Sequence, residues 1–434
     1  MMSVDAIRWD PEPEVSEPRT IHDVHAAFRR WLGSEYDLDA IDTVLATAAV
    51  ERLDGDPLWV LVISGSGNAK TETVQSLAGA GGIVTSTITS EGALLSGTPR
   101  REQAKDSTGG LLRKIGDRGV LVVKDVTSIL SMHRDSRAGV LAALREIYDG
   151  KWERNIGTDG GRTLTWQGRI AIIGAVTTAW DRAHDVIASM GDRFVILRMD
   201  SSVNSGRISA SKQAMQNVGR EHLMREELAD VVGAVLSDIT LADAVTLTPE
   251  ETEILREAAN IVTLCRTGVD FDYRGDVIDA HAPEAPTRFA KQLVQVARGA
   301  VAIGLDRQRA LRLALRCARD SMPPLRLAIL EDLAASPHSK TSDIRRRLNK
   351  PRNTVDRQLQ ALHMLEVLTC DEVPGATEQR STWYYDIAEG ISPQAIEVPI
   401  VPDLSPHMDI GIERESEPVF GVTDISGTNG RAAV

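Results

Sequence analysis

The chain has 434 residues, of which 42% are hydrophobic and 26% charged. These proportions are typical of a soluble globular protein and exclude disorder over the whole length; at ~150 residues per domain, the length predicts about three domains. The 49 Lys and Arg against 62 Asp and Glu give a net charge of −13, which disfavours nucleic-acid binding over the whole surface. The longest apolar runs fall far below the ~18 residues of a membrane helix. An acidic, proline-rich opening and three scattered cysteines favour a cytoplasmic location.

In chain order, residues 1–18 are predicted to be a disordered acidic lead. From Ile21 to Arg52 apolar residues recur at three- and four-residue steps, which indicates helices. Short β-branched runs then alternate with helical stretches, and Gly157–Gly161 marks a hairpin. The predicted strands are Leu58–Ile63, Gly82–Ile88, Gly119–Val123, Trp152–Ile156, Arg162–Trp166 and Arg169–Val176. Such alternation predicts an α/β domain at 19–207, with a parallel sheet covered on both faces.

The remainder divides into three parts. Residues 208–320 carry helical periodicity and are predicted to form an all-helical unit. Residues 321–390 predict three helices followed by two strands. Residues 391–434 are acidic and contain Pro and Gly without periodicity, so a disordered tail is expected there.

The most informative motif follows the first predicted strand. Ser64-Gly-Ser-Gly-Asn-Ala-Lys70-Thr71 is a glycine-rich turn between a strand and a helix, and it ends in Lys-Thr. Glycines let backbone amides close around phosphate oxygens, Lys70 would reach the β- and γ-phosphates of ATP, and the Thr71 hydroxyl would hold Mg²⁺. Ser64 and Ala69 replace the two glycines of the usual phosphate loop. The predicted nucleotide-binding residues here are Ser64, Gly65, Ser66, Gly67, Asn68, Ala69, Lys70 and Thr71. The competing interpretation is a glycine-rich turn with an incidental lysine.

The loop and the stretch Leu144–Gly174, with its hairpin before a buried strand, resemble AAA+ ATPases of the branch that includes minichromosome-maintenance helicases and bacterial enhancer-binding activators. The resemblance covers about Trp59 to Arg319. It implies an AAA+ P-loop sheet domain followed by an all-helical lid. The activators' Gly-Ala-Phe-Thr-Gly-Ala loop is missing from this sequence, which argues against activation of that type.

Further roles follow from this resemblance. The strand ending Lys124-Asp125 falls where the family has Asp-Glu. Asp125 would therefore activate water in strict register, or would hold Mg²⁺ after a one-residue slip. Either register leaves hydrolysis an open question.

Three other positions match the family's sensors. Thr177 would sense the γ-phosphate, and Arg193 would complete the ATP site of a neighbouring subunit. Arg288 would be the second sensor, with Arg298 as the alternative. The competing interpretations are a strand-end turn for Thr177, a solvated helix cap for Arg193 and a surface arginine for Arg288.

A basic segment stands out against the acidic chain. Seven Lys or Arg lie between His338 and Gln358, and the helices and strands around them predict a winged helix-turn-helix. The predicted DNA-binding residues are Arg345, Arg346, Lys350, Arg352, Thr354, Arg357 and Gln358. A protein-contact role for this segment is the alternative.

These features together predict a ring-shaped homo-oligomer, expected to be a hexamer, that depends on ATP and Mg²⁺. It is expected to act on DNA as a replication initiator, helicase loader or helicase-like DNA remodeller, and a mobile element is one setting in which it could act. Two alternatives remain open. One is an ATP-sensing DNA-binding transcriptional regulator with little or no hydrolysis, and the other is a protein-remodelling ATPase. The nine histidines show no ligand spacing, so no metal other than Mg²⁺ is expected.

Overall fold

The computed structural model describes residues 19–98, 105, 107–157, 161–181, 193–199, 204–374 and 381–400. Its central feature is a five-stranded parallel sheet in the order β2-β3-β6-β1-β7. The strands are β1 (Trp59–Ile63), β2 (Ile83–Thr85), β3 (Arg118–Val123), β6 (Arg169–Val176) and β7 (Val195–Arg198). The predicted α/β architecture with a parallel sheet is thereby confirmed.

Both faces of the sheet are covered, which explains why its strands are continuous apolar runs. Alternate residues of β1 point to opposite faces. Val60 and Val62 join one apolar cluster, whereas Leu61 and Ile63 join the other.

Helices and short turns cover the sheet. They are α1 (Ile21–Leu32), α2 (Leu38–Arg52), α3 (Lys70–Gln75), α4 (Glu91–Leu94), α5 (Leu111–Ile115), α6 (Thr127–Leu130) and α7 (Arg134–Tyr148). A separate antiparallel hairpin, β4 (Lys151–Ile156) and β5 (Arg162–Gln167), precedes β6. Its tip, residues 158–160, lies outside the described residues.

After the sheet come α8 (Asn204–Gln216), α9 (Glu221–Ser237), α10 (Pro249–Arg266), α11 (Thr287–Ala302) and α12 (Arg307–Asp320). The expectation that 208–320 is all-helical is wrong in one place, because strands β8 (Val269–Phe271) and β9 (Val277–Ala280) form an antiparallel hairpin there. The reason is visible in Val269-Asp-Phe-Asp272, where apolar and acidic residues alternate with the period of a strand. Gly275, with a φ of +82°, sits in the connecting turn.

The last part contains α13 (Pro324–Ala335), β10 (Ser339–Lys340), α14 (Thr341–Arg347), α15 (Arg352–Met364), β11 (Leu368–Pro374) and β12 (Ser381–Ile387). The three strands pair in the order β10-β12-β11. Its apolar residues belong to the same cluster as those of α1, α2 and α10–α12.

The expectation of a disordered tail from residue 391 is wrong for its first residues. Pro393–Ile396 forms a 3₁₀ turn in which Ile396 is buried, because this apolar side chain packs into the helical cluster. Residues 1–18 and 401–434, also predicted to be disordered, lie outside the described residues. Within the described parts of the chain, no helix is both long and apolar enough to cross a bilayer.

Candidate functional site: a loop-lined cavity and two arginine clusters

The glycine-rich loop begins where β1 ends, and β1 is an interior strand between β6 and β7. Gly67 has a φ of +80° and Ala69 a φ of +54°. The left-handed region favours glycine and costs other residues roughly 1–2 kcal/mol. Ala69 is therefore strained at the position where the usual phosphate loop carries glycine, and strained backbone of this kind clusters at ligand sites.

Lys70 starts α3 and folds back over the loop, where its Nζ donates a hydrogen bond to the Gly65 carbonyl oxygen at 2.9 Å. Burial lowers the pKa of Lys70, and the negative charge of Asp125 opposes that shift. The lysine thus lies within electrostatic reach of Asp125, with its ammonium satisfied by a loop carbonyl.

A cavity of about 420 Å³ opens beside the loop. Three parts of the chain form it: the loop itself, the α1–α2 connection, and the α8–α9 region. Its lining includes Trp31, Gly33, Tyr36, Asp37, Gly67, Asn68, Ala69, Lys70, Thr71, Met199, Arg207, Ser209 and Asn217. Gly67 to Thr71 of the predicted nucleotide-binding residues thus line the cavity, whereas Ser64, Gly65 and Ser66 are not part of this lining.

Two hydrogen bonds fix the cavity walls. The hydroxyls of Tyr36 and Thr73 are 2.7 Å apart, which ties the α1–α2 connection to α3. Asn217 Nδ2 donates to the Trp31 carbonyl oxygen at 2.7 Å, which ties the α8–α9 turn to the end of α1. The cavity is therefore held by contacts between distant segments.

An ionic network supports the Asp37 side of the cavity. Arg316 on α12 donates to Asp37 and Asp39, the latter at 2.6 Å, and Arg312 donates to Asp39 at 2.7 Å. Burial would raise the pKa of Asp39, but the charges of Arg316 and Arg312 hold it below its usual value. Burial raises the pKa of Asp320, also beside Arg316, to about 6. The helical segment is thus electrostatically coupled to the cavity wall.

Asp125 and Thr177 follow β3 and β6, whose carboxyl ends lie on the same edge of the sheet as the loop. Thr127 lies between them: its backbone N–H donates to Asp125 Oδ1 at 2.9 Å, and its hydroxyl is 3.4 Å from that of Thr177. Asp125 is exposed beside its half-buried neighbour Lys124. The structure brings Lys70, Asp125 and Thr177 to one edge, although Asp125 already serves the start of α6.

Comparison with known proteins adds no family. No family model matches the chain, and no curated protein matches it. Similar solved structures include the A-form apo C-terminal region of NrS-1, at 8% identity and a TM-score of 0.27, covering 88% of this chain and 80% of that chain. The same protein's region 305–718 gives 9% identity and a TM-score of 0.26, covering 86% and 78%. Likeness at this level assigns neither fold nor function.

Arg193 lies at the opposite end of the sheet from the loop. Val60 pairs with Val195, so Arg193 is level with the residue before Trp59. Ser64 is six residues further along, or about 20 Å at the rise of a strand. Arg193 Nη2 is 3.4 Å from Asp149 Oδ2, and its guanidinium lies over the Tyr148 ring at 5.8 Å.

Arg288 belongs to the same end. Burial lowers the pKa of Arg193, and the nearby charge of Arg288 lowers it further. A second cavity of about 460 Å³ is lined there by Arg169, Arg288 and Lys291 together with Asp56, Tyr148 and Asp149. The two predicted arginines are therefore neighbours of each other and not of Lys70.

Arg298, the alternative for the second sensor, contacts residues outside both cavities. It donates to Asp54 and to the Val245 carbonyl oxygen and also hydrogen-bonds Gln295. These contacts join α11 to the turn before β1.

The predicted DNA-binding residues lie on α14, on α15 and in the turn between them, and they fall into two groups. Arg345, Arg346, Lys350, Arg352 and Thr354 are exposed, with Arg346 bonded to Asp343. Arg357 instead donates to the Arg274 carbonyl oxygen, and Gln358 accepts from Arg326. The exposed group forms a basic surface at the C-terminal end of α14 and the start of α15.

Sequence reasoning missed most of the cavity wall. Trp31 belongs to the helical periodicity from Ile21, Tyr36 and Asp37 lie in the break before the next periodic residues, and Asn217 carries no motif. Their role depends on tertiary contacts between segments about 30 to 190 residues apart in the sequence, which local pattern does not encode.

Proposed function

We propose that this protein is an AAA+ P-loop ATPase that binds ATP and Mg²⁺ at the loop edge of the sheet and acts on DNA through a C-terminal winged helix. The observation that carries the proposal is the 420 Å³ cavity lined by Gly67 to Thr71. It lies outside the carboxyl end of β1, where strand order reverses because later strands fall on both sides of it. Ligands of open α/β sheets bind at such switch points, and the volume suits a small molecule of nucleotide size.

In this proposal the nucleoside part of ATP occupies the cavity and its phosphates lie along the loop. Lys70 exchanges the Gly65 carbonyl oxygen for phosphate oxygens, which are stronger partners because they are charged. Thr177 contacts the terminal phosphate from the end of β6.

Thr71 and Asp125 would hold Mg²⁺. Hydroxyl and carboxylate oxygens are ligands that Mg²⁺ prefers, and the ion is commonly held by one or two protein groups plus substrate phosphates. The ion would neutralise charge on the transferring phosphate.

A second subunit completes the site. Arg193 lies about 20 Å from the loop along the strand direction, and Arg288 lies near Arg193, so both would serve the ATP of a neighbour. A head-to-tail arrangement forms a ring when the rotation between subunits closes, and a hexamer is the expected size. Each subunit would then supply the loop at one interface and the arginines at the next.

The proposed DNA surface is the exposed basic group on α14 and α15. Phosphate contacts by Lys and Arg give sequence-independent affinity that falls with salt. Arg345→Ala/Lys350→Ala should weaken binding to a duplex about tenfold. It should also reduce the slope of log affinity against log salt concentration by the amount expected for about two lost phosphate contacts. Arg256→Ala is the control, because that exposed arginine on α10 pairs with Glu253.

ATP turnover with and without duplex DNA tests the enzymatic part. Lys70→Ala and Asp125→Ala should each lower turnover about a hundredfold or more, and only Lys70→Ala should also lose ATP binding. Lys114→Ala, an exposed lysine on α5, is the matched control and should behave as wild type. Wild-type turnover in Lys70→Ala would contradict the proposal.

One observation favours a second candidate, an ATP-sensing DNA-binding regulator with little or no hydrolysis. Lys124 stands where the resembled family has an acidic residue, and the Asp125 carboxylate already accepts the Thr127 amide. If ATP shifts DNA affinity while turnover is undetectable with and without DNA, this candidate replaces the ATPase.

A further inference from the structure

One face of α15 is held against the β8–β9 hairpin (residues 269–280). Arg357 Nη2 donates a hydrogen bond to the Arg274 carbonyl oxygen at 2.6 Å. A Cβ on Gly275 would collide with the same nitrogen. The guanidinium therefore occupies the space that a side chain at 275 would need.

Gln358, the next residue of α15, is also held by a hydrogen bond from another segment. Gln358 Oε1 accepts from Arg326 Nε at 2.8 Å. Arg326 is buried, and its Nη1 donates to the carbonyl oxygens of Cys265 and Thr267, both at 2.7 Å. Gln358 is thus linked to the α10–β8 junction from which the hairpin extends.

The hairpin carries charge of the wrong sign for DNA. It contains four carboxylates, Asp270, Asp272, Asp276 and Asp279, against the single cation Arg274. Asp272 Oδ1 accepts the Arg274 and Asp276 amides at 2.8 Å each, so this carboxylate shapes the turn. Acidic groups within a Debye length of ~10 Å repel an approaching phosphate backbone.

We propose that the β8–β9 hairpin is an intramolecular cover on the DNA-binding surface, holding Arg357 and Gln358 away from duplex DNA. The inference rests on the proposed DNA binding by α14 and α15. Arg345, Lys350 and Arg352 stay exposed and give a first, weak encounter. Full engagement requires the hairpin to leave α15, which frees Arg357 for a phosphate or base edge and removes the repelling carboxylates.

Gly275→Asn tests the cover. Asn tolerates the left-handed backbone that Gly275 adopts, but its side chain collides with the Arg357 guanidinium. Gly390→Asn is the matched control, since Gly390 has the same φ of +82° and nothing lies within 4 Å of its Cβ position. Binding of a labelled duplex is measured by fluorescence anisotropy at two salt concentrations.

Gly275→Asn should bind the duplex about fivefold more tightly, with a salt slope steeper by about one phosphate contact. Gly390→Asn should match wild type. Adding Arg357→Ala to Gly275→Asn should cancel the gain. Asp276→Asn/Asp279→Asn changes two exposed carboxylates without altering the turn glycine, and it should tighten binding about threefold by removing repulsion.

Wild-type affinity in both hairpin variants overturns the cover, and weaker binding does so as well, because the hairpin would then be part of the DNA surface. If the duplex binds and Arg345→Ala/Lys350→Ala weakens it, the proposed DNA function survives this failure. If no variant binds the duplex, the DNA function and the cover both fall.

Discussion

The two ends of the parallel sheet differ in what they offer a triphosphate. At the carboxyl end of β1 there is a strained glycine-rich loop, one lysine and a cavity, with Asp125 and Thr177 on the same edge. At the other end, Arg193 and Arg288 lie together beside a second cavity of mixed charge. Arg207 also lines the loop cavity, whereas Arg193 and Arg288 lie at the other end of the sheet. In the proposed function, the two ends are halves of one site that meet when two subunits associate.

The largest expected effect is on ATP turnover, and it comes from removing Arg193 at the second end of the sheet. Arg193→Ala should lower ATP turnover about a thousandfold, since arginines supplied in trans stabilise the transferring phosphate, while ATP binding by the loop is kept. Mixing Arg193→Ala with Lys70→Ala should restore activity at about a quarter of interfaces in a random ring, because each such interface has one intact Lys70 and one intact Arg193. Failure of the mixture to regain any turnover would rule out a shared site.

A smaller effect is expected for Arg288. Arg288→Ala should lower turnover about tenfold and leave ATP affinity unchanged, because the arginine lies at the Arg193 end. Arg298→Ala is the control for loss of an α11 arginine, since that residue contacts Asp54. Weaker ATP binding in Arg288→Ala, with normal binding in Arg298→Ala, would assign Arg288 to its own subunit's loop.

The ionic network around Arg316, beside the cavity wall, predicts that the free energy of unfolding depends on pH. The pKa of Asp320 is about 6 in the folded chain against 3.8 without the fold. A raised carboxyl pKa gives stability that is complete below 3.8 and is lost as pH rises through 6. From pH 7.5 to pH 5, the wild type should therefore gain about 1 kcal/mol of unfolding free energy relative to Asp320→Asn.

Urea unfolding at the two pH values measures this difference, with the exposed Asp135→Asn as control. Parallel pH curves for wild type and Asp320→Asn would contradict the assigned pKa.

The smallest effect concerns the loop backbone. Ala69→Gly should stabilise the chain by up to about 1 kcal/mol, because glycine adopts a φ of +54° without steric cost. Ala78→Gly is the control: that exposed alanine lies in a right-handed turn, where glycine should destabilise slightly. Thermal midpoints without nucleotide give the comparison, and a lower midpoint for Ala69→Gly would show that the loop is not strained.

The sheet was predictable because parallel strands buried on both faces leave a strong signal. Both ends of the predicted strand Arg169–Val176 agree with the structure. The predicted strand Leu58–Ile63 begins one residue before the observed strand. The short strand Val195–Arg198 was missed, since four residues carry little periodicity. The loop was visible as a motif, but the cavity depends on contacts such as Tyr36 with Thr73, which join segments that share no local pattern.

The contacts of Arg357 and Gln358 are equally hidden in the sequence. Their place on α15 predicts a DNA-reading face, while their partners in the structure are Arg326 and the Arg274 carbonyl oxygen. Sequence pattern predicts which face of a helix is polar; it does not predict which other polar segment packs there.

ATP binding at the loop is tested most directly by isothermal titration calorimetry of ATP with Mg²⁺ and the wild type, Lys70→Ala and Lys114→Ala. We expect one site per chain, with an affinity that is unchanged in Lys114→Ala and about thirtyfold or more weaker in Lys70→Ala, because that variant loses a charge-assisted hydrogen bond worth roughly 2 kcal/mol or more. Equal ATP affinity in all three proteins would contradict the loop as the ATP site.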